Sequence, residues 1–280
     1  MKYGISFLLL FFFMGAMQAQ TTMKMMSYNI RLDVASDSEN RWDARKEKLA
    51  ALVNYYEPDF MGGQEVQHHQ LTYLLSALHG YDFIGVGRDD GKTGGEYSCI
   101  FYKKDKYKCV SQSTFWLSPT PDSVSFGWNA ACRRVCTYGL FKINKTKQYL
   151  WVFNTHFDHI SAEARLESAK LIIKKITELN TKNYPVIISG DFNSNPGEAP
   201  AKYMMEYVNN SRDISEMVFG QLNTFNAFQY CKEAAGSIDY IFVSKDPHIH
   251  VAKFATLTDS YDLKYPSDHF PILATIKINK

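Results

Sequence analysis

The chain has 280 residues, with 31 Lys and Arg against 29 Asp and Glu, and 45% of its residues are hydrophobic. That hydrophobic fraction can fill a core, so the composition excludes a disordered or collagen-like chain. Lys2 is the only charged residue before residue 20, which leaves a net charge of +1 on residues 20–280. So small a charge argues against a protein that coats DNA through a basic surface.

The first nineteen residues have the pattern of a signal peptide. Lys2 is followed by an apolar run from Ile5 to Met17, and Ala19 is a small residue suited to the position before cleavage. The run is too short to span a bilayer comfortably, and it lacks the polar face expected of an ordinary helix at the amino terminus of a domain. We therefore predict export to the periplasm or the medium, with a mature chain that starts near Gln20 and has no transmembrane anchor.

Residues 20–280 are predicted to form a single domain, because no linker or internal repeat divides them. Apolar stripes predict helices at Trp42–Tyr56 and Ala162–Leu179, with Ser161 as the N-cap of the second. Ten runs rich in β-branched and aromatic residues predict strands. These runs are Met25–Ile30, Asp59–Gly63, Asp82–Val86, Ser98–Tyr102, Val135–Ile143, Tyr149–Thr155, Pro185–Ser189, Ser237–Val243, His250–Thr256 and Pro271–Ile278. Two sheets with helices on their outer faces would bury the stripes, giving an α/β sandwich.

The five cysteines are too few and too scattered for a disulfide framework or a thiolate metal site. Most are expected to be small core residues, and one tertiary disulfide is possible in an oxidising compartment.

Clusters of Asn, Asp, Glu and His recur beside the predicted strands. We expect them at the carboxyl ends of the strands, where a loop begins and a site can form. Singly, each has a structural explanation, since Asn29 could cap a turn and Glu65 could cap a helix. Together they would be costly to bury at one sheet edge unless they bind something.

These clusters also contain the residue types needed for phosphoester hydrolysis. The oxygen ligands of Glu65, Asp268 and Asn29 suit Mg²⁺ or Mn²⁺ rather than structural zinc. Two histidines, His156 and His269, could then orient water and neutralise charge on a phosphoryl group.

The ordered motifs MSYNIR, GGQEV, GEYSCIFY, NTHFDH, SGDFN, SIDYIF and SDHFP cover essentially all of the mature chain. This series resembles the endonuclease/exonuclease/phosphatase superfamily, the DNase I-like metal-dependent phosphohydrolases. The resemblance implies a four-layer α/β/β/α sandwich with the site at one rim of its two central sheets. It also implies that Glu65 holds the divalent metal, with Asn29 and Asp268 beside it.

The same resemblance implies roles for the residues that would act on the phosphate. Asp191 would orient or deprotonate the attacking water, and Asn193 would hold a phosphate oxygen. Asp239 would fix the tautomer of His269, whose imidazole would face the scissile phosphate. His156 would stabilise the phosphorane-like state or protonate the leaving oxygen.

Other side chains are implied or expected to support the site. His156 is expected to pair with Glu96, as in the nuclease branch of the superfamily. Arg133 or Arg134 could contact the substrate phosphate, and Arg88 could belong to a basic and aromatic rim around it. The rim aromatics, Trp116 among them, could equally be packing residues.

The leading hypothesis is an exported phosphodiesterase or phosphatase that depends on Mg²⁺ or Mn²⁺. The substrate would be a phosphorylated small molecule, a lipid head group or a short nucleic acid, and no stable protein partner is expected. The alternative is a non-catalytic module that binds phosphate or glycan on the same sandwich. Because a degenerate relative should have lost some of Glu65, Asp191, Asn193, Asp239 and His269, their joint presence favours the enzyme.

Overall fold

The computed structural model describes residues 20–279. The predicted signal peptide, residues 1–19, lies outside the described residues. Within residues 20–279, no helix combines the length and the hydrophobicity needed to cross a membrane.

The described residues form four α-helices, α1 to α4, and thirteen strands, β1 to β13. The helices are α1 Trp42–Tyr56, α2 His68–Ala77, α3 Ala162–Leu179 and α4 Ala199–Tyr207, with a short 3₁₀ helix at Ala35–Asn40. The strands are β1 Thr21–Asn29, β2 Phe60–Val66, β3 Tyr81–Ile84, β4 Tyr97–Lys103, β5 Tyr107–Trp116, β6 Val135–Ile143, β7 Tyr149–His156, β8 Val186–Asp191, β9 Val208–Asn210, β10 Val218–Phe219, β11 Asp239–Ser244, β12 Ile249–Thr256 and β13 Ile272–Ile278.

The strands form two mixed sheets that pack face to face. One sheet has the order β10-β12-β13-β1-β2-β4-β3, and the other has the order β5-β6-β7-β8-β11-β9. A core that includes Met25, Phe60 and Ile187 lies between them. Leu49 of α1 and Leu74 of α2 pack on the outer face of the first sheet, and helices α3 and α4 cover the second. The predicted four-layer α/β/β/α sandwich is confirmed.

Elements with strong amphipathic patterns agree with the sequence prediction. Helices α1 and α3 have the predicted bounds, and Ser161 Oγ accepts a hydrogen bond from Ala164 N at 3.1 Å. The prediction missed α2, α4 and the strands β5, β9 and β10. Half of the residues of strand β5 are exposed, four of them in succession, so it lacks the apolar alternation that marks a half-buried strand. All five cysteines, which lie within the described range, are free.

The expectation that every polar cluster follows a strand was wrong for three of them. Asn29 and Glu65 do lie at the ends of the parallel strands β1 and β2. Glu96 instead precedes β4, Asp239 begins β11, and His269 precedes β13. Each of these strands runs antiparallel to the neighbour that ends at the site. An antiparallel strand therefore brings its amino end to the same rim.

A buried polar network joins the two sheets just below that rim. The amide of Gln64 donates to Asn154 Oδ1 at 2.7 Å, and Ser189 Oγ donates to the same oxygen at 3.0 Å. Asn154 Nδ2 donates to the carbonyls of Gly63 and Cys99 across the sandwich, at 3.0 and 2.8 Å. Because all these groups are buried, the network fixes how the sheets are aligned.

We predict that Gly62→Ala will destabilise the fold, because a Cβ at Gly62 would collide with the side chains of Ser189 and Asn154. Overpacking of this kind costs about 1–3 kcal/mol in the free energy of unfolding. Urea denaturation measures the loss. The matched control is Gly197→Ala, since a Cβ there meets nothing within 4 Å. Equal stability of the two variants would contradict the proposed sheet contact.

Candidate active site

A cavity of about 560 Å³ opens at the rim where the two sheets meet. Nine of the twelve site residues predicted from the sequence line it. They are Glu65, Arg88, Glu96, Arg134, His156, Asp191, Asn193, Asp268 and His269. Asn29 and Asp239 are buried and hydrogen-bonded to lining residues, whereas Arg133 lies away from the lining.

The seven-stranded sheet supplies the acidic side of the cavity. Asn29 Nδ2 donates to Glu65 Oε1 and to Asp191 Oδ2, each at 3.0 Å, so one buried amide links both sheets. The backbone N–H of Leu32 donates to Glu65 Oε2 at 3.1 Å. Glu65 has a positive φ of 60°, and the pairing of β2 with β4 shifts register between Gly63 and Val66. Such irregularities commonly direct a functional side chain out of a strand.

The six-stranded sheet supplies a second acidic group that meets His269. Asp239 Oδ2 lies 2.9 Å from His269 Nδ1, and Asp191 Oδ2 lies 3.7 Å from His269 Nε2. Asp191, Asp239 and His269 are all buried. The imidazole is therefore held between two carboxylates, with Asp239 close enough to fix its orientation.

The pKa shifts follow from this crowding of buried charge. Burial, together with the negative charge of Asp239, raises the pKa of Asp191 to about 7. Burial likewise raises the pKa of Asp268 to about 6, with a contribution from Glu65. Burial opposes protonation of His269, but Asp239 and Asp191 outweigh it and hold the pKa of His269 above its ordinary value. The site thus carries more negative charge than its own cations balance.

This donor set fits a hard divalent cation. Glu65 and Asp268 both line the cavity and lie on either side of the Arg31 guanidinium, while Asn29 beside them donates to Glu65 through Nδ2. A cation bound there would stabilise the charged form of both buried carboxyl groups. A second group, made of Asp191, Asp239 and His269, has ligand atoms within 4.8 Å of one another. Both groups are rich in oxygen, as sites for Mg²⁺ or Mn²⁺ are.

Arg31 lies at the acidic side of the cavity and was missed as a site residue in the sequence. Its guanidinium makes two hydrogen bonds of 2.9 Å to Asp37. The same group lies 3.9 Å from Glu65 and 3.7 Å from Asp268. Its place inside the motif MSYNIR, two residues after Asn29, was the available signal.

The expected pairing of His156 with Glu96 is wrong. Glu96 instead accepts two hydrogen bonds from Arg88, at 2.8 and 2.6 Å. His156 Nε2 lies 3.0 Å from Asn193 Nδ2 and 3.4 Å from Asp191 Oδ2. Burial, together with the charge of Arg134, keeps the pKa of His156 well below its ordinary value, so its imidazole is neutral. The Arg88 cation therefore forms stronger, charge-assisted hydrogen bonds to Glu96 than His156 would.

Of the other residues expected at the rim, Arg134 lines the cavity, whereas Arg133 and Trp116 do not. Arg134 is 5% exposed and lines the cavity. Arg133 lies 3.6 Å from Asp89 and stacks at 4.5 Å over Phe126, outside the lining, which argues against the expectation that it contacts substrate. Trp116 is buried and donates its indole N–H to the carbonyl of Arg88, so it is a packing residue.

We predict that Glu65→Gln will weaken Mn²⁺ binding at least tenfold, because an anionic oxygen ligand is replaced by a neutral amide. Isothermal titration calorimetry with MnCl₂ measures the affinity. Glu178→Gln on the exposed part of α3 is the control and should bind Mn²⁺ as the unmodified protein does. Unchanged affinity in Glu65→Gln would place the cation elsewhere.

Comparisons of the sequence and of the structure with known proteins indicate the same family. The model of the Endonuclease/Exonuclease/phosphatase family matches residues 26–269. The crystal structure of a family protein from Bacteroides thetaiotaomicron is 38% identical, with a TM-score of 0.90, and the match covers 94% of this chain and 97% of that one. A mannosyl-6-phosphatase of Bacteroides thetaiotaomicron VPI-5482 is 39% identical, with a TM-score of 0.88 and coverage of 91% and 99%.

A more distant relative is a nuclease. The 3'-5'-exoribonuclease subunit Ccr4 of the Saccharomyces cerevisiae CCR4-Not complex is 23% identical over 85% of this chain. The match spans only 36% of the length of that relative.

Proposed function

The chain belongs to the endonuclease/exonuclease/phosphatase family, whose enzymes hydrolyse phosphoester bonds, and on that premise we propose that it is an exported, Mg²⁺-dependent phosphoesterase acting on a small phosphate ester. The observation that carries the proposal is the meeting of Glu65, Asp191, Asp268 and His269 around one cavity. Oxygen ligands, a carboxyl group with a pKa of about 7 and a charged imidazole are the parts that water attack on phosphorus requires.

The size of the proposed substrate is supported by three observations. The cavity is a pocket of about 560 Å³, which is in the range of small-molecule sites. The charge of +1 on residues 20–280 offers little general attraction for a long polyanion. A structural neighbour with 39% identity is named a mannosyl-6-phosphatase, so a phosphorylated sugar is among the substrates we propose.

In this mechanism Asp191 acts on the attacking water. Its pKa of about 7 suits a base that takes a proton near neutral pH. Asn29 and the backbone N–H of Asn193 donate to its two oxygens, which fixes the orientation of the carboxylate. The water oxygen forms the new bond to phosphorus, its proton passes to Asp191, and the ester oxygen leaves on the opposite side.

His269 supplies the positive charge, and His156 stays neutral. Asp239 holds His269 through Nδ1, so a protonated Nε2 can donate to a phosphate oxygen or to the leaving oxygen. Asn193 Nδ2 donates to the carbonyl of Phe157 as well as to His156 Nε2, so its amide orients His156. Because burial and Arg134 hold the pKa of His156 well below its ordinary value, this imidazole is neutral near neutral pH and does not carry the positive charge that His269 supplies. Direct contact of Asn193 with a phosphate oxygen stays a prediction.

Glu65, Asn29 and Asp268 would hold the divalent cation. Bound there, Mg²⁺ would offset negative charge on the phosphate oxygens.

We predict that EDTA, Glu65→Ala and His269→Ala will each abolish hydrolysis of bis-p-nitrophenyl phosphate and p-nitrophenyl phosphate while the fold is retained. The expected fall in kcat/KM for His269→Ala is on the order of 100-fold to 10,000-fold, since a positioned acid or charge donor is lost. Release of p-nitrophenol measures turnover, and circular dichroism measures folding.

The control for this experiment is His248→Ala, which alters an exposed histidine. Restoration of activity by Mg²⁺ after EDTA treatment should be complete. Full turnover in His269→Ala would refute the assignment of the site.

A nuclease is the second candidate, favoured by the likeness to an exoribonuclease subunit. A panel of single-stranded RNA, DNA, sugar phosphates, inositol phosphates and sphingomyelin separates the two candidates through the products detected by mass spectrometry. A non-catalytic binding module would turn over none of these substrates.

We predict that the exported protein begins near Gln20. Expression of the full chain in a bacterium with a periplasm, followed by fractionation and amino-terminal sequencing, tests this. Deletion of residues 2–19 should leave the protein in the cytoplasm. Recovery of the uncleaved full chain from the cytoplasm would refute export.

A further inference from the structure

Three arginines line the cavity, and one of them differs from the others in its partners. Arg31 and Arg88 each make two hydrogen bonds to a single carboxylate, Asp37 and Glu96 respectively. Arg134 has no such partner among residues 20–279. Its Nη2 lies 3.0 Å from His159 Nδ1, while Nε and Nη1 make no hydrogen bond within that range.

The nearest carboxylate does not satisfy Arg134. Asp158 Oδ2 lies 3.8 Å from Arg134 Nε, which is too long for a hydrogen bond. The oxygens of Asp158 already accept three backbone N–H groups, from Ala131, Ile160 and Ser161, at 2.7–3.0 Å. Asp158 therefore holds its loop, and Arg134 remains a buried cation with unused donors at the cavity wall. Leaving such donors unpaired is costly unless a ligand satisfies them.

We propose, resting on the function proposed above, that Arg134 binds two oxygens of the substrate phosphate and makes the cavity selective for phosphate monoesters over diesters. The planar guanidinium suits this, because its donors form a fork that matches two phosphate oxygens.

Counting oxygens gives the reason for the selectivity. A monoester has three non-bridging oxygens and close to two negative charges at neutral pH. Two of them can pair with Arg134 while the third meets Nε2 of His269, whose ring Asp239 holds through Nδ1. A diester has only two non-bridging oxygens and one charge, so pairing both with Arg134 leaves none for His269. The diester therefore loses one of the two contacts.

Arg133 provides a matched control for Arg134. The two residues are adjacent in the chain, but Arg133 contacts Asp89 and Phe126 outside the cavity lining. Arg133→Gln removes the same charge from the same stretch of chain without altering the cavity wall.

The experiment compares kcat/KM for p-nitrophenyl phosphate and bis-p-nitrophenyl phosphate with saturating Mg²⁺. We expect the unmodified protein to prefer the monoester. Arg134→Gln should lower kcat/KM for the monoester on the order of 100-fold, as loss of one positioned donor does elsewhere, and should affect the diester much less. Arg134→Lys should also lower the ratio, because an ammonium group lacks the fork. Arg133→Gln should leave the ratio unchanged.

A second set of measurements tests the binding of phosphate at the subsite rather than the rate at which an ester is hydrolysed. Inorganic phosphate should inhibit the unmodified protein more strongly than dimethyl phosphate does. In EDTA, calorimetric titration should detect binding of inorganic phosphate that Arg134→Gln weakens. This binding can be measured even if neither nitrophenyl ester is a substrate, so it separates failure of the subsite from failure of the proposed function.

The proposal is overturned by any of three results. One is an unchanged monoester-to-diester ratio in Arg134→Gln and Arg134→Lys, with Glu65→Ala still inactive, which would leave the phosphoesterase proposal intact. Another is an equal loss for both substrates. The third is stronger inhibition by dimethyl phosphate than by inorganic phosphate in the unmodified protein.

Discussion

The alignment of the two sheets is the constraint on which the site depends. Glu65 and Asn29 belong to one sheet, whereas Asp191 and Asp239 belong to the other. His269 is carried by the loop before β13 of the first sheet, yet its hydrogen-bond partner, Asp239, begins a strand of the second. A small slide of one sheet over the other would break this pair, as well as the bond from Asn29 to Asp191. The network of Gln64, Asn154 and Ser189 opposes such a slide, because no water reaches these groups to replace their bonds.

The same arrangement explains how the fold tolerates so many buried acids. Each carboxylate has a separate compensation: Asp239 has the imidazolium of His269, Glu65 has the amide of Asn29 and the backbone of Leu32, and Asp191 has Asn29 and the backbone of Asn193. This compensation is incomplete. The raised pKa values of Asp191 and Asp268 show that their negative charge is still disfavoured by burial and by the neighbouring carboxylates. A site that folds with an excess of negative charge is poised to bind a cation and then a phosphate.

Much of this could be predicted from sequence, for reasons that differ between residues. Helix α3 was predictable because its buried face and its N-cap are local features. The residues around His269 and Asp191 were recognisable because short motifs keep their order along the chain. The partner of Glu96 was not predictable, since Arg88 and His156 both had suitable chemistry and only the packing of the rim decides between them. The sequence also could not tell which of Arg133 and Arg134 reaches the cavity. The two side chains are identical, and only the path of the chain just before β6 buries Arg134 and leaves Arg133 outside the lining.

The burial of Arg134 in the cavity wall suggests how a nearly neutral protein can recognise a phosphate. Long-range attraction from a basic surface raises the rate of encounter, but it does not distinguish one phosphate ester from another. A single cation inside the cavity acts at short range, where its field is weakly screened and its donor geometry is fixed. Arg134 meets that description, because it is buried and Asp158 beside it is occupied by backbone N–H groups. Discrimination between esters would then reside in one side chain of the cavity wall, and the rest of the surface would be free of any requirement for positive charge.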